Sequence, residues 1–214
     1  MSRTALTRLA HKATDDRGLL DALLDEVLLG HVGLVREDGT PAVLPSMIAR
    51  DGDRVLIHGS TGSPWMRRLG TGVPACLTVT AVDALVVARS AFESSMRYRS
   101  AVLYGVCEQL GADEKSAALD TLTERFLPGR PSEVRRPSAK ELAATLVLAL
   151  PIREWSLKVS AGWPEDLADD VAGDAWAGIV PVIPASYGSP VPAPDLRPGV
   201  PVPPSVTARS GGTV

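Results

Sequence analysis

The alternation of apolar and polar residues predicts one amphipathic helix near the start of the chain. Asp15 and Asp16 are good N-cap residues, and apolar residues recur every three to four positions over residues 19–28. That spacing collects the apolar side chains on a single helix face. The positions are Leu19, Leu20, Leu23, Leu24, Val27 and Leu28.

Beyond this helix, short apolar runs separated by tight turns predict strands. Asp-Gly pairs lie between apolar runs at residues 38–39 and 51–52, and such pairs are typical of hairpins. Short strands joined in this way favour an antiparallel barrel or sandwich over a parallel βαβ sheet. The predicted strands are residues 30–35, 41–50, 54–59, 74–81, 84–90 and 100–110, with three more at 145–151, 154–159 and 177–182.

Three further helices are predicted, at residues 64–70, 113–126 and 138–146. The last begins with Ser138 and has Glu141 three residues later, which is a capping-box arrangement. The segment 90–97 is predicted to be an irregular loop. Its Phe92 and Met96 either line an apolar pocket or lie in a solvated connection.

A change in composition divides the chain into three parts. Nine of the 18 prolines fall between Pro181 and Pro204, and proline lacks the amide donor that a regular helix or inner strand needs. This tail is therefore predicted to be extended, either free or laid along a surface. The predicted organisation is an N-terminal arm at 1–18, one domain at 19–182 and a Pro-rich tail at 183–214.

Composition excludes several classes of protein. The chain has 214 residues, 45% of them hydrophobic, so it can bury a core, and its net charge of −3 argues against a nucleic-acid partner. No apolar run approaches the ~20 residues of a membrane span, and the polar N-terminus does not resemble a secretory signal. Cys76 and Cys107 lack metal-ligand spacing, so free thiols in a cytoplasmic protein are expected.

The strongest candidate for chemistry is the strand, turn and helix at residues 55–69. A small, hydroxyl-rich turn that contains glycine lets the backbone approach an anion closely, and Arg67 and Arg68 follow it. The alternative is an ordinary connection in which Ser63 caps the helix and Pro64 is its first residue.

The order of these elements resembles the pyridoxamine 5′-phosphate oxidase-like superfamily, and within it the flavin-nucleotide-binding branch related to nitroimidazole-resistance proteins. The resemblance spans residues 19–182 and rests on segments 44–50, 56–63, 77–80 and 98–102. It implies a mainly β fold with helices (α+β), an antiparallel six-stranded split β-barrel of the FMN-binding type. It also implies a homodimer with FMN between the subunits and a small organic molecule as substrate.

The resemblance also implies positions for the cofactor. Pro45, Ser46, Met47 and Ile48 would lie along the flavin ring, and His58 and Gly59 would lie under the ribityl chain and phosphate. The phosphate contacts would be Gly62 and Ser63, with Arg67, Arg68, Arg50 or Arg99 in place of the family's basic pair.

This chain departs from the family where two basic residues usually grip the phosphate, because it has Pro64 and Trp65 there. The residues that grip a pyridoxal phosphate substrate are also not evident. Another flavin activity is therefore favoured over vitamin B6 oxidation. Arg99 and Ser100 are expected at the cofactor or the dimer interface, or else as a polar pair at a strand start.

His58 has several interpretations. It contacts the flavin, donates a proton beside it, is an axial ligand to haem as in some relatives, or is a structural histidine bonded to the backbone. Haem is thus the alternative cofactor. The predicted function is an FMN-dependent oxidoreductase, with a flavin or haem carrier or sensor, or a haem-dependent enzyme, as alternatives.

Other clusters are assigned no chemistry. The carboxylates of Glu165, Asp166, Asp169 and Asp170 lack the periodicity of metal ligands, and a solvated acidic turn is expected. No Ser-His-Asp or Cys-His arrangement suggests itself, so no catalytic residue is named. Trp155, Trp163 and Trp176 are expected to pack in the core or at an interface, or to cover the flavin edge from the partner.

Overall fold

The structure, a computed structural model, describes residue 4, residues 9–183 and residues 186–210. Its strands are β1 (Ala13–Thr14), β2 (Leu29–Val35), β3 (Pro41–Asp51), β4 (Arg54–Ser60), β5 (Pro74–Val87), β6 (Ser95–Val106), β7 (Glu108–Gln109), β8 (Thr145–Pro151), β9 (Glu154–Ser160) and β10 (Gly178–Pro181). Its α-helices are α1 (Arg17–Glu26), α2 (Pro64–Gly70), α3 (Ala112–Phe126), α4 (Arg130–Glu133), α5 (Ala139–Ala143), α6 (Ala168–Val171) and α7 (Pro204–Arg209). A 3-10 helix at Ala10–Lys12 precedes β1.

All strand pairs are antiparallel and form one sheet of ten strands, which does not close on itself. Its order is β1-β9-β6-β5-β2-β3-β4-β8-β7, and β10 pairs with the second half of β5. Consecutive strands β2, β3 and β4 are neighbours, as the Asp-Gly turns predict, and Gly39 and Gly52 have the positive φ angles that these turns require. The predicted class, mainly antiparallel β with helices, is confirmed.

Two layers of apolar side chains hold the fold together. The larger lies inside the curved sheet and includes Leu20, Leu23 and Leu24 of α1, with Met66 and Leu69 of α2, all fully buried. The smaller lies on the opposite face of β3, β4 and β8, where α3 covers it. Strands β3 and β4 therefore contribute side chains to both layers, and they position the candidate site.

Helix α1 begins where the sequence predicts. The Asp16 carboxylate accepts a hydrogen bond from the Leu19 amide at 3.1 Å, which satisfies one of the free N–H groups of the first turn. The capping box at Ser138 and Glu141 is likewise present. That helix stops at Ala143, however, and the prediction that it reaches residue 146 is wrong. Residues from Thr145 onward pair with β4 instead.

Strand boundaries differ from the prediction in two places. Residues 74–87 form one strand, not two, because the register shifts between Val82 and Ala84 and this bulge absorbs Asp83 without ending the pairing with β6. The strand predicted at 100–110 begins earlier, at Ser95, and is interrupted at Cys107. Both differences depend on partners in the sheet that local sequence does not reveal.

The Pro-rich tail is not extended throughout, so the prediction of a fully extended tail is wrong. Helix α7 forms at its end with Pro203 as N-cap and Pro204 as first residue, a position where the missing amide costs nothing. Its Ser205 is buried, and the Ser205 amide donates to the Glu133 carboxylate at 2.9 Å. The tail is thus laid along the surface beside α4. Residues 1–3 and 5–8 of the predicted arm, and residues 184–185 and 211–214 of the tail, lie outside the described residues.

Among the described residues, no helix is both long and apolar enough to cross a membrane.

Candidate functional site

The turn after β4 is held by its own backbone and by the end of α5. The Ser63 amide donates to the Ser60 carbonyl at 3.0 Å, and the Thr61 amide donates to the Ala144 carbonyl at 2.9 Å. Ser63 is the N-cap of α2 and Pro64 is the first residue, as the alternative interpretation expects. The Ser63 side chain, however, makes no capping hydrogen bond. Its hydroxyl is therefore available to another acceptor or donor.

Gly59 lets β4 approach helix α2 closely. A Cβ atom at this position would lie 2.8 Å from Cγ of Met66, which is fully buried. A Cβ at Gly62, by contrast, would meet only the Ser60 hydroxyl, at 3.4 Å. Gly59 is thus required by packing, whereas packing alone does not require Gly62.

The two arginines of α2 differ in their surroundings. Arg67 is exposed and donates to the Thr61 carbonyl at 3.1 Å, which ties its guanidinium to the turn. Arg68 is half-buried, and its Nε atom has no hydrogen-bond partner among the described residues. Both arginines line a cavity of about 570 Å³ between α2 and the β2–β3 turn. The other residues that line it are Leu34, Arg36, Glu37, Asp38, Pro64, Trp65 and Thr71.

Arg50 and Arg99, which the sequence offers as substitute phosphate ligands, are occupied by carboxylates. The Arg50 Nε donates to Asp25 at 3.0 Å, and Arg99 donates to Asp83 and Glu26 at 2.6–3.1 Å. These hydrogen bonds raise the pKa of both guanidiniums. The structure does not bring Arg99 to the turn, because β6 is separated from β4 by three strands in the sheet order.

The segment of β3 expected beside a flavin presents alternate side chains to opposite faces. Ser46 and Ile48 are buried, and the Ser46 hydroxyl donates to the Met47 carbonyl at 3.2 Å. Pro45 is exposed and Met47 is half-buried against the layer under α3. Among these four side chains, Pro45 and Met47 are therefore the ones that a ligand outside the sheet can reach. Ser100 is half-buried on β6, opposite Thr80.

His58 lies near the end of β4, half-buried and opposite Val147 of β8. Its Nδ1 atom is buried and has no hydrogen-bond partner among the described residues, so the structure lacks the backbone bond that a purely structural histidine would make there. Burial lowers the pKa of His58, because the charged form loses more hydration than the neutral form. The imidazole is consequently neutral at pH 7, as a metal ligand must be.

A groove lies on the same face of the sheet as His58. Thr145 is opposite Ser60 and two residues from Val147, so its side chain is on the face that carries His58. Extending the register of Ile48 with Ile57 by one residue sets Met47 opposite His58 on this face as well. The groove has a volume of about 450 Å³ and is lined by Leu119, Val134, Arg135, Pro137, Glu141 and Thr145. Sequence analysis missed it, because α3, α5 and β8 build it from separate parts of the chain.

The acidic segment is not wholly solvated. The Asp166 side chain is only 1% exposed and accepts hydrogen bonds from the Arg89 amide and guanidinium at 2.7 and 2.8 Å. Its role is to anchor the loop after β5. The described residues contain no group of His, Cys, Asp and Glu side chains that would hold a metal ion.

The remaining predicted side chains have structural surroundings. Trp155 packs against the larger core, whereas Trp163 is exposed, with the Arg97 guanidinium 4.8 Å from its ring centre. Trp176 and Phe92 are also exposed. Cys76 and Cys107 are free thiols, as predicted, and burial raises the pKa of Cys107 to about 11.

Comparison with known proteins identifies the family. Residues 16–159 match the family model described as pyridoxamine 5′-phosphate oxidase. The structure of an FAD and haem binding protein from Mycobacterium smegmatis is 52% identical, with a TM-score of 0.89 over 94% of this chain and 98% of that one.

A flavocytochrome from Azotobacter vinelandii is 35% identical, with a TM-score of 0.90 over 99% and 98% of the two chains. At 20% identity and a TM-score of 0.59, a candidate 5-nitroimidazole antibiotic resistance protein from Bacteroides thetaiotaomicron shares the fold over 69% of this chain and 86% of its own. No curated protein matches the sequence. The resemblance predicted from the sequence is confirmed, and the chain belongs to the pyridoxamine 5′-phosphate oxidase family of split-barrel proteins.

Proposed function

We propose that this protein binds a flavin and a haem and acts as an oxidoreductase on a small organic substrate. The observation that carries the proposal is the buried Nδ1 atom of His58, which has no hydrogen-bond partner among the described residues and lies on the sheet face that borders an open groove. Two relatives, at 52% and 35% identity over nearly the whole chain, are an FAD and haem binding protein and a flavocytochrome, which supports the same assignment.

The residues on the His58 face suit a haem. A neutral imidazole is a common axial ligand, and the groove walls at Leu119, Val134 and Pro137 offer apolar surface for a flat macrocycle. His58 would hold the iron. A bound haem supplies one-electron chemistry and a bound flavin supplies hydride chemistry, while the protein orients both and controls access to them.

The residues around the β4–α2 turn suit the phosphate end of a flavin. The free Ser63 hydroxyl, the small Gly62 and the tethered Arg67 can surround a phosphate, and Pro45 and Met47 can contact the ring. The resemblance implied FMN, but the cavity of about 570 Å³ continues past the turn along Trp65 and Arg68. That space, together with the Nε atom of Arg68, which has no partner among the described residues, favours FAD, because FAD carries a second phosphate and an adenosine that FMN lacks.

We also propose a homodimer, assembled through the outer face of β2 and β3. Leu29, Val35 and Val43 alternate with buried residues and are exposed on this face, with Val43 65% exposed. A second subunit would remove this apolar surface from water. The expected location is the cytoplasm, and no nucleic-acid partner is proposed for a chain with a net charge of −3.

A non-catalytic carrier or sensor is the alternative function. A carrier or sensor would bind the same cofactors but would not catalyse a reaction. Oxidation of NADH or NADPH in the presence of an electron acceptor separates the two, because a carrier would leave the nicotinamide unchanged.

The decisive test is an absorption spectrum of the protein with added haem and FAD. Wild type is expected to show a Soret band and flavin bands after removal of free cofactor. In His58→Gln the Soret band should be lost and the flavin bands kept, whereas His11→Gln, at an exposed histidine of the 3-10 helix before β1, should keep both. A wild-type protein that retains neither cofactor would refute the proposal, and a Soret band unchanged in His58→Gln would refute the role of His58.

A further inference from the structure

Two arginines that are far apart in the sequence come near one another where α7 of the tail packs beside the turn between α3 and α4. A Cβ atom at Gly129 in this turn would lie 3.9 Å from Cβ of Ser205, and Ser205 also donates to Glu133. Arg125 lies in the last turn of α3, and Arg209 is the last residue of α7. The Arg209 Nη2 donates to the Tyr187 hydroxyl at 3.1 Å, and its guanidinium lies 4.5 Å from the centre of the Tyr187 ring. Arg125 donates only a long bond, 3.4 Å, to the Val27 carbonyl. The tail therefore brings the positive charge of Arg209 close to the positive charge of Arg125.

Each guanidinium is satisfied only in part. The Nε atoms of both Arg125 and Arg209 are buried and have no hydrogen-bond partner among the described residues. Burial lowers the pKa of Arg125, and the charge of Arg209 lowers it further. The nearest carboxylate that attracts Arg125 is Asp25, but Asp25 is already bound by Arg50. Buried donors without partners and two like charges side by side are both unfavourable, and one anion would relieve both.

The pair lies at the edge of the face that carries His58. Val27, which Arg125 contacts, leads directly into β2, and Leu29 of β2 is paired with Met47. Met47 is in turn opposite His58 by the register of β3 and β4. Helix α3 packs on this face against β3, β4 and β8, with Leu119 at the groove and Arg125 bonded to the Val27 carbonyl. A ligand that His58 holds and that extends along β3 towards the end of α3 would reach the two guanidiniums.

We infer that Arg125 and Arg209 form a binding site for the anionic group of a cofactor bound on the His58 face. This inference rests on the proposed function. Two guanidiniums suit a pair of carboxylates or a phosphate, because each presents fixed N–H donors to planar or tetrahedral oxygens. The position beside His58 favours the two carboxylates of haem. The phosphates of the flavin are the other source of the same chemistry.

The experiment compares Arg125→Gln and Arg209→Gln with Arg197→Gln, which removes an equal charge from an exposed position in the same tail. Each protein is titrated with haem, with haem dimethyl ester, whose carboxylates are neutral, and with FAD. Wild type should bind haem at least about tenfold more tightly than the ester. Arg125→Gln and Arg209→Gln should lose that preference, and Arg197→Gln should keep it.

Melting of the cofactor-free proteins separates binding from a structural role. Arg209→Gln removes the repulsion from Arg125 together with the Tyr187 contact, and these two changes oppose each other, so its melting temperature should stay close to that of wild type while its haem affinity falls. Weaker FAD binding with unchanged haem binding would assign the site to flavin phosphates.

Two results would overturn the site. One is an unchanged preference for haem over its ester together with unchanged FAD affinity. The other is an affinity loss that only parallels a lower melting temperature. A wild type that binds neither cofactor refutes the proposed function instead. In that case, inorganic pyrophosphate should still raise the melting temperature of wild type and not of Arg209→Gln, and failure of that shift overturns the site as well.

Discussion

At the scale of single residues, the site combines positions required by packing with positions that packing leaves open. Gly59 is required because a side chain there would press on the buried Met66, whereas a Cβ at Gly62 meets only the Ser60 hydroxyl. The Nδ1 atom of His58 is buried and has no hydrogen-bond partner in the part of the chain that the structure describes, although most buried polar atoms in proteins are bonded. Gly62 and His58 are residues of this second kind, and contact with a bound ligand would explain why they are present.

The two glycines should therefore respond differently to substitution by alanine. Gly59→Ala is expected to lower the free energy of unfolding by about 1–3 kcal/mol, because the added methyl group overpacks the contact with Met66. Gly62→Ala should change it by less than about 0.5 kcal/mol but weaken flavin binding, if the turn approaches a phosphate. Urea unfolding and FAD titration of both variants measure this. Equal stabilities for the two variants would contradict the packing argument.

The buried His58 should also make stability depend on pH. Burial lowers the pKa of His58 in the folded protein. At a pH below the ordinary value of 6.5, the unfolded chain therefore binds a proton at His58 more readily than the folded chain does. In the cofactor-free protein this contribution vanishes above pH 6.5, and stability falls as the pH decreases below it. The slope from this one group is at most about 1.4 kcal/mol per pH unit.

Unfolding of wild type and His58→Gln between pH 7 and pH 5 tests this dependence. The variant is expected to have the shallower slope, and the exposed His31→Gln serves as its control. Identical slopes for wild type and His58→Gln would show that His58 is not excluded from water in the folded state.

At the scale of elements, ion pairs join the end of helix α1 to the middle of the sheet. Arg99 on β6 contacts Glu26, the last residue of α1, and Asp83, the residue at the bulge of β5. Its guanidinium thereby neutralises an acidic residue at the negative end of a helix dipole. In this subunit Arg99 makes contacts that hold the helix on the sheet, and its role at a cofactor stays a prediction.

Arg99→Gln should therefore weaken the fold and leave the cofactor site intact. We expect a loss of about 1–2 kcal/mol in the free energy of unfolding, limited by the partial exposure of both carboxylates. Arg67→Gln is the matched opposite, since this exposed arginine at the turn should affect FAD affinity and hardly change stability. Denaturation and FAD titration of both variants test these two expectations. Weaker FAD binding in Arg99→Gln without loss of stability would show that Arg99 acts at the cofactor and not in the fold.

At the scale of the whole molecule, the exposed face of β2 and β3 sets the expected assembly. The alternation along these strands buries Val32 and Leu34 inside and leaves Val35 and Val43 outside. Exposed apolar residues on one flat face are typical of an interaction surface. The tail, by contrast, packs back onto its own chain through Ser205 and Glu133.

Val43→Glu is accordingly expected to separate the dimer into monomers, because two like charges would be buried at the interface. Light scattering coupled to size exclusion should give twice 22.5 kDa for wild type and 22.5 kDa for the variant. The control, Val191→Glu, lies in the exposed tail and should leave the mass unchanged. A wild-type mass of 22.5 kDa would refute the proposed homodimer.

Local sequence determined much of the fold. The Asp16 cap, the amphipathic pattern of α1, the two Asp-Gly turns and the capping box at Ser138 act over a few residues, so each was predictable before any tertiary contact was known. The order of such elements also identified the family.

Only the tertiary structure decided which strands and side chains lie next to each other. The single long β5, the carboxylates that occupy Arg99, the groove beside His58 and the meeting of Arg125 with Arg209 all join residues distant in the sequence. Periodicity reports which side of an element is apolar, but not which partner covers it. Whether a polar group is paired, buried or left open to a ligand therefore depends on long-range packing, and so does the chemistry of this site.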